Sequence, residues 1–108
     1  MSEVKRTLLE TAPVVGLPGW ETRLFLIEYP AGADASGHSH PVAGIGYILT
    51  GNIVSAFEQD QTEIFTAGQS FNDPPLFHTI SRNASDTEPT TFLVAYTVKV
   101  GEPVTVFP

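Results

Sequence analysis

The chain has 108 residues, the length of one ordinary domain, and 42% of them are hydrophobic, enough for a core without covalent staples. It has no cysteine, which excludes a disulfide scaffold, a thiolate zinc finger, an iron–sulfur cluster and a cysteine nucleophile. Five Lys and Arg against twelve Asp and Glu leave a formal charge of −7, so neither a nucleic-acid duplex nor an anionic membrane is an expected partner.

The chain opens MSEVKR, without the apolar stretch of a secretory signal, and no apolar run approaches the ~18 residues of a membrane span. A single cytoplasmic domain over 1–108 is the expectation. Within an N-terminal arm of residues 1–19, residues 6–10 have strand character. Residues 22–29 (TRLFLIEY) are rich in aromatic and β-branched types and end at Pro30, before the turn-prone 31–34. Residues 47–50 (YILT) and 52–57 (NIVSAF) read as a hairpin turning at Thr50-Gly51-Asn52. A polar tip (EQDQ, 58–61) leads to a strand over 62–66 (TEIFT). Beyond a turn at 67–69, Ser70 and Phe71 run into Asn72-Asp73-Pro74-Pro75, which cannot be a central strand. A short strand over 78–82, a polar loop (NASDTEP, 83–89), the longest strand (TTFLVAYTVKV, 90–100) and a candidate last strand over 104–107 complete the chain. No window of roughly eleven residues keeps a helical apolar period without a Pro or Gly. Roughly eight short strands with turns every 8–12 residues indicate an all-β sandwich or barrel.

Two of the three histidines stand in His38-Ser39-His40. On extended backbone, residues i and i+2 share a face with Cα atoms roughly 6.5–7 Å apart, close enough for two imidazoles to reach one metal. Solvated histidines in a polar loop are the plainer alternative. His78 follows Pro74-Pro75 and enters a strand; if the sheet curls over, it can face the other two. Three neutral imidazoles on one face would leave coordination positions open for a ligand. No nucleophile elbow, phosphate loop or dinucleotide fingerprint is present.

Residues 32–51 (GADASGHSHPVAGIGYILTG) resemble the first sequence motif of the cupins, and residues 68–83 (GQSFNDPPLFHTISRN) are similar to the second. Gly32, His38, His40, Gly51, Gly68, Pro74 and His78 carry the match, while Asn83 stands one place late. The resemblance implies an antiparallel double-stranded β-helix, or jelly-roll barrel. It also implies a metal site of His38, His40 and His78 for a divalent first-row transition metal. Iron(II) is favoured, with manganese, nickel or zinc as the other candidates. Cupins with three-histidine sites include dioxygenases acting on small organic molecules, so such an oxidoreductase is the first functional expectation. A non-catalytic metal- or small-molecule-binding module is the alternative. The resemblance further suggests a homodimer with the N-terminal arm at its interface.

Two positions depart from the family pattern. The glutamate ligand is replaced by Gly44, and the loop before His78 is one residue short, with Leu76 where glycine is expected. If the strand stays regular, Val42, Gly44, Gly46 and Ile48 face inward with the histidines. The two glycines then either widen the space beside the metal or mark a bulge or a close approach of strands. Lys99 wants solvent, so Phe92, Val94, Tyr96 and Val98 should face inward. Phe71, Phe77, Phe92 and Tyr96 become candidate walls of a substrate pocket beside Gly44, Gly46 and Ile48. Arg82 is a candidate anchor for a substrate carboxylate, and Glu28 a candidate substitute acid, although a surface position suits both.

Overall fold

A computed structural model describes residues 3–107. Its nine strands are β1 (Lys5–Pro13), β2 (Trp20–Tyr29), β3 (His38–Ser39), β4 (Gly44–Thr50), β5 (Asn52–Phe57), β6 (Glu63–Thr66), β7 (Ser70–Asp73), β8 (Phe77–Asn83) and β9 (Thr90–Lys99). The described residues contain no helix, and so none long and apolar enough to cross a membrane. The strands form a five-stranded sheet, order β1-β2-β9-β4-β7, and a four-stranded sheet, order β3-β8-β5-β6, with every pairing antiparallel. The strand pattern indicates the all-β class, and the resemblance implies this jelly-roll arrangement of it.

Alternation sets the core. Along β9, Phe92, Val94, Tyr96 and Val98 are buried while Thr97 and Lys99 are exposed, the parity that a solvent-seeking Lys99 requires. Along β4, Gly44, Gly46 and Ile48 are buried, and Ile45, Tyr47 and Leu49 are exposed. Ile27, Tyr29, Ile48, Ile53 and the four inward residues of β9 make up most of the core cluster.

Two expectations need correction. Residues 47–57 are not a hairpin, because β4 already has β9 on one side and β7 on the other. At Gly51 the chain instead leaves the five-stranded sheet for the four-stranded one. Gly51 has φ +79°, and a Cβ there would lie 2.1 Å from Thr90 Oγ1 and 2.8 Å from the Pro89 carbonyl, so only glycine fits. The arm forms β1, which pairs with β2 of its own chain and is an edge strand of the five-stranded sheet. The expected last strand is reduced to a bridge: Val106 and Ser39 exchange two backbone hydrogen bonds of 2.8 and 2.9 Å. Asn72 and Asp73 belong to β7, which lies at a sheet edge, where the following prolines cost no ladder bonds.

Asn83 ties the loops at the far end. It is 3% exposed; Nδ2 lies 2.8–3.2 Å from the carbonyls of Tyr29, Pro30 and Glu88, and Oδ1 accepts from Ser85 N and Thr90 Oγ1.

Candidate metal centre

His38 and His78 are direct cross-strand partners in the β3–β8 ladder. The bridge between Ser39 and Val106 keeps His38-Ser39-His40 extended, so His40 projects to the same side as His38. The three rings are 3–7% exposed, with centroids 4.8, 4.9 and 6.3 Å apart, and one nitrogen from each lies within 4.8 Å of the others.

The protonation pattern is set by backbone carbonyls, which can only accept. His38 Nδ1 donates to the Ala35 carbonyl at 2.6 Å, and His40 Nδ1 donates to the Val104 carbonyl at 2.8 Å. In the neutral rings this leaves the lone pair on Nε2. Those two Nε2 atoms are 3.1 Å apart. Two lone pairs facing each other repel, and a cation between them removes the repulsion. With bonds of about 2.1 Å, neighbouring ligand atoms of one metal stand ~3.0 Å apart in octahedral and ~3.4 Å apart in tetrahedral geometry.

His78 Nε2 lies 2.8 Å from Ser55 Oγ, and its ring stacks on Phe57 with centroids 4.0 Å apart. His78 Nδ1 is buried without a partner. Among the described residues, the only other buried side-chain nitrogen or oxygen in that condition is Oδ1 of Asp73. Leaving such an atom unmet costs ~1–3 kcal/mol, and both orphans fall in this one cluster. That is the condition a bound cation would relieve, and the residues fit a metal.

Burial keeps the His38 and His78 rings uncharged. It pulls His38 down to about 4 and His78 to about 3, the latter pushed further by the neighbouring His38 and His40. Metal binding at neutral pH therefore needs no proton release from these two.

Asp73 borders the cluster. It is 5% exposed, with Oδ2 3.3 Å from His40 Nε2 and hydrogen-bonded by the Tyr96 hydroxyl. Burial raises the carboxyl above its ordinary value, against the pull of His40 and of the Tyr96 hydrogen bond. Burial first, and then the Asp73 charge, pushes the Tyr96 phenol well above its usual range, so Tyr96 keeps its proton.

Residues 25–96 match the cupin domain family. The chain belongs to the cupins. Solved structures place the fold in the same group. A cupin-like protein from Thermotoga maritima superposes with a TM-score of 0.72 at 18% identity, covering 97% of this chain and 75% of that one. An oxalate oxidase in complex with glycolate gives 0.69 at 19%, covering 96% and 54%. The DMSP lyase DddQ from Ruegeria pomeroyi gives 0.67 at 21%, covering 80% and 42%, so this cupin spans less than half of the lyase chain. No curated protein matches the sequence.

The structure brings together most, but not all, of the residues singled out in this cupin's sequence. Ile48, Phe71, Phe92 and Tyr96 line a cavity of about 50 Å³ that also borders the three histidines. Gly44 and Gly46 face the interior but do not widen it. A Cβ on Gly44 would fall 2.5 Å from the Tyr96 ring, and one on Gly46 would fall 2.1 Å from the Phe71 ring. The glycines accommodate those rings, which is the close-approach alternative. Phe77 is 42% exposed because it alternates with the inward His78. Phe57, one strand over, takes the place beside the histidine. Arg82 is exposed, with its backbone bridged to Asp34, and Glu28 shares its register with Thr91 on the outer face.

Sequence reasoning missed Asp73, Ser55 and Arg6. Asp73 was hidden by the prolines after it, although it has the parity of Phe71, two residues before. Arg6 lines the cavity from β1, its guanidinium 5.4 Å from the Phe107 ring, and no carboxylate among the described residues pairs with it.

Proposed function

We propose that this cupin is a metal-dependent oxidoreductase in which His38, His40 and His78 hold a divalent first-row metal, iron(II) by preference. Its substrate is a small organic anion. The observation that carries the reading is the pair of Nε2 atoms 3.1 Å apart, each with its Nδ1 committed to a carbonyl. Three imidazole nitrogens with open positions suit iron(II), which would supply Lewis acidity and oxygen chemistry at the site. The chain's own residues do the rest. Ala35 and Val104 carbonyls orient the two imidazoles, in the way that outer-shell acceptors orient metal-binding histidines. Ile27, Phe92 and Val94 give the cavity an apolar wall that excludes water. Arg6 is the cation on that wall, placed to take a carboxylate. A cavity of about 50 Å³ limits the substrate to a few non-hydrogen atoms. The glycolate in the neighbouring oxalate oxidase is a carboxylate of that size.

Elemental analysis of untagged protein, followed by oxygen uptake with iron(II)-loaded protein against small carboxylates, thiols and diketones, tests the reading. Stoichiometric metal that His38→Ala abolishes, with turnover of at least one small acid, is the expected result. A protein that takes up no divalent metal overturns it. Stoichiometric metal without any oxygen uptake leaves the binding or sensing module, which the small cavity also suits.

The outer face of the five-stranded sheet supports a homodimer. Leu26, Leu93 and Tyr47 lie side by side in register, as do Leu24, Ala95 and Ile45, and this apolar strip crosses β2, β9 and β4. Ile45 is 68% and Tyr47 47% exposed. A second copy of the chain presents a matching strip under two-fold symmetry. Light scattering should give twice 11.6 kDa for the wild type, and Leu93→Glu should give monomer.

A further inference from the structure

We propose that Asp73 supplies, from β7, the carboxylate ligand that Gly44 cannot, making the metal site His38, His40, His78 and Asp73. The inference rests on the metal reading above and extends its ligand set.

Four observations converge on it. Gly44 stands at the family's glutamate position, and Asp73 is its cross-strand partner in the β4–β7 ladder. The carboxylate is thus displaced by one strand within the same sheet. The space a side chain on Gly44 would need is filled by the Tyr96 ring, and the hydroxyl of that ring bonds Asp73. Tyr96 blocks the ordinary position and holds the substitute. Asp73 Oδ2 lies 3.3 Å from His40 Nε2, within the ~3.0–3.4 Å between neighbouring ligands of one metal. Oδ2 has a second lone pair beyond the one that accepts from Tyr96, so it can face a metal while keeping that bond, and Oδ1 is buried with no partner of its own.

A carboxylate ligand changes metal preference as well as affinity. Hard, oxygen-seeking manganese(II) and iron(II) should depend on Asp73 far more than nickel(II) or zinc(II), which three imidazoles already suit. Dissociation constants for manganese(II) and nickel(II), measured by chelator competition, test this in the wild type and in Asp73→Asn, Tyr96→Phe and His38→Ala. Asp73→Asn keeps the shape of the side chain and should weaken manganese binding at least ~100-fold and nickel binding no more than ~10-fold. Tyr96→Phe keeps the ring that fills the space at Gly44, and should weaken manganese binding ~10-fold as a positioning residue. A purely structural Asp73 would lower both metals equally. Equal losses, or none, with His38→Ala still abolishing binding, overturn the fourth ligand and leave the three-histidine site standing. Absence of metal binding in the wild type overturns both. Should Asp73→Asn fail to fold, the manganese-against-nickel ratio of Tyr96→Phe decides, an unchanged ratio refuting the proposal.

Discussion

Adding a single methyl group at Gly44 tests the packing that organises this site. The backbone there is not in the left-handed region, so Gly44→Ala introduces no conformational strain. The new Cβ would stand 2.5 and 2.7 Å from two Tyr96 ring carbons and 3.1 Å from the Ala95 carbonyl. Carbon contacts settle at ~3.5–4.0 Å, so the ring must retreat by about 1 Å. It has little room to do so, being 4% exposed, stacked on His40 at 5.2 Å and edge-on to Phe25 at 6.2 Å. Overpacking of this kind costs ~1–3 kcal/mol, and stretching the bond from Tyr96 to Asp73 adds up to ~1.5–3 kcal/mol. Alanine recovers only ~0.4–1 kcal/mol by restricting the unfolded chain. The net expectation is a loss of about 2–4 kcal/mol, read as a fall of ~1–2 M in the urea midpoint at unchanged slope. The cause is checked by repeating the substitution in a Tyr96→Leu background, where the ring is gone. There Gly44→Ala should be near neutral, a coupling of more than ~1 kcal/mol. Equal cost in both backgrounds, or no cost in the wild type, would refute the ring-in-place-of-side-chain account.

The depressed histidines give the metal-free protein a pH dependence of definite sign. Their folded values near 4 and 3 lie below the ordinary 6.5, so the unfolded chain binds the protons and the stability is fully present only above about 6.5. It is lost as pH falls towards 4 and below, and each ring contributes ~2 kcal/mol of that loss between pH 7 and pH 5. Asp73, whose carboxyl burial raises, works in the opposite direction and reduces the total. A urea midpoint that stays constant or rises between pH 7 and 5 would contradict the burial of the two neutral rings. Asn83→Ala removes five hydrogen-bonding contacts, three of them to loop carbonyls, at a cost of ~3 kcal/mol or more, and should lower the melting temperature by more than about 10 °C. A shift of only a few degrees would mean that water satisfies those carbonyls.

What the sequence makes legible depends on the range of the interaction. The inward parity of β9 needs only Lys99 and alternation, and the pairing of His38 with His40 needs only extended backbone. Both are properties of a few consecutive residues. The path at Gly51 is not, because the residues 47–57 look like a hairpin until β9 and β7 are known to occupy both edges of β4. Arg6 and the Val104 carbonyl reach the site from opposite ends of the chain, and no local pattern marks either. The glycines at 44 and 46 show the same limit in a sharper form. Their inward direction follows from parity, but whether the space before them is open or filled depends on Tyr96 and Phe71, side chains on other strands.

That dependence explains how a ligand position can be vacated without opening the site. Losing a glutamate from β4 removes a carboxylate and several buried atoms, and a void in their place would cost stability in proportion to its volume. Here the tyrosine ring from β9 fills the volume, and the aspartate from β7 restores a carboxylate beside His40. Both replacements flank β4 in the same sheet, one on each side: Gly44 pairs with Tyr96 across β9 and with Asp73 across β7. Volume and charge, which one glutamate would have carried together, are divided between two strands and rejoined by the hydrogen bond between them. Substituting glutamate at Gly44 would therefore not rebuild the family's usual site. The side chain would have to displace the ring that now occupies its place, and with it the group that holds Asp73.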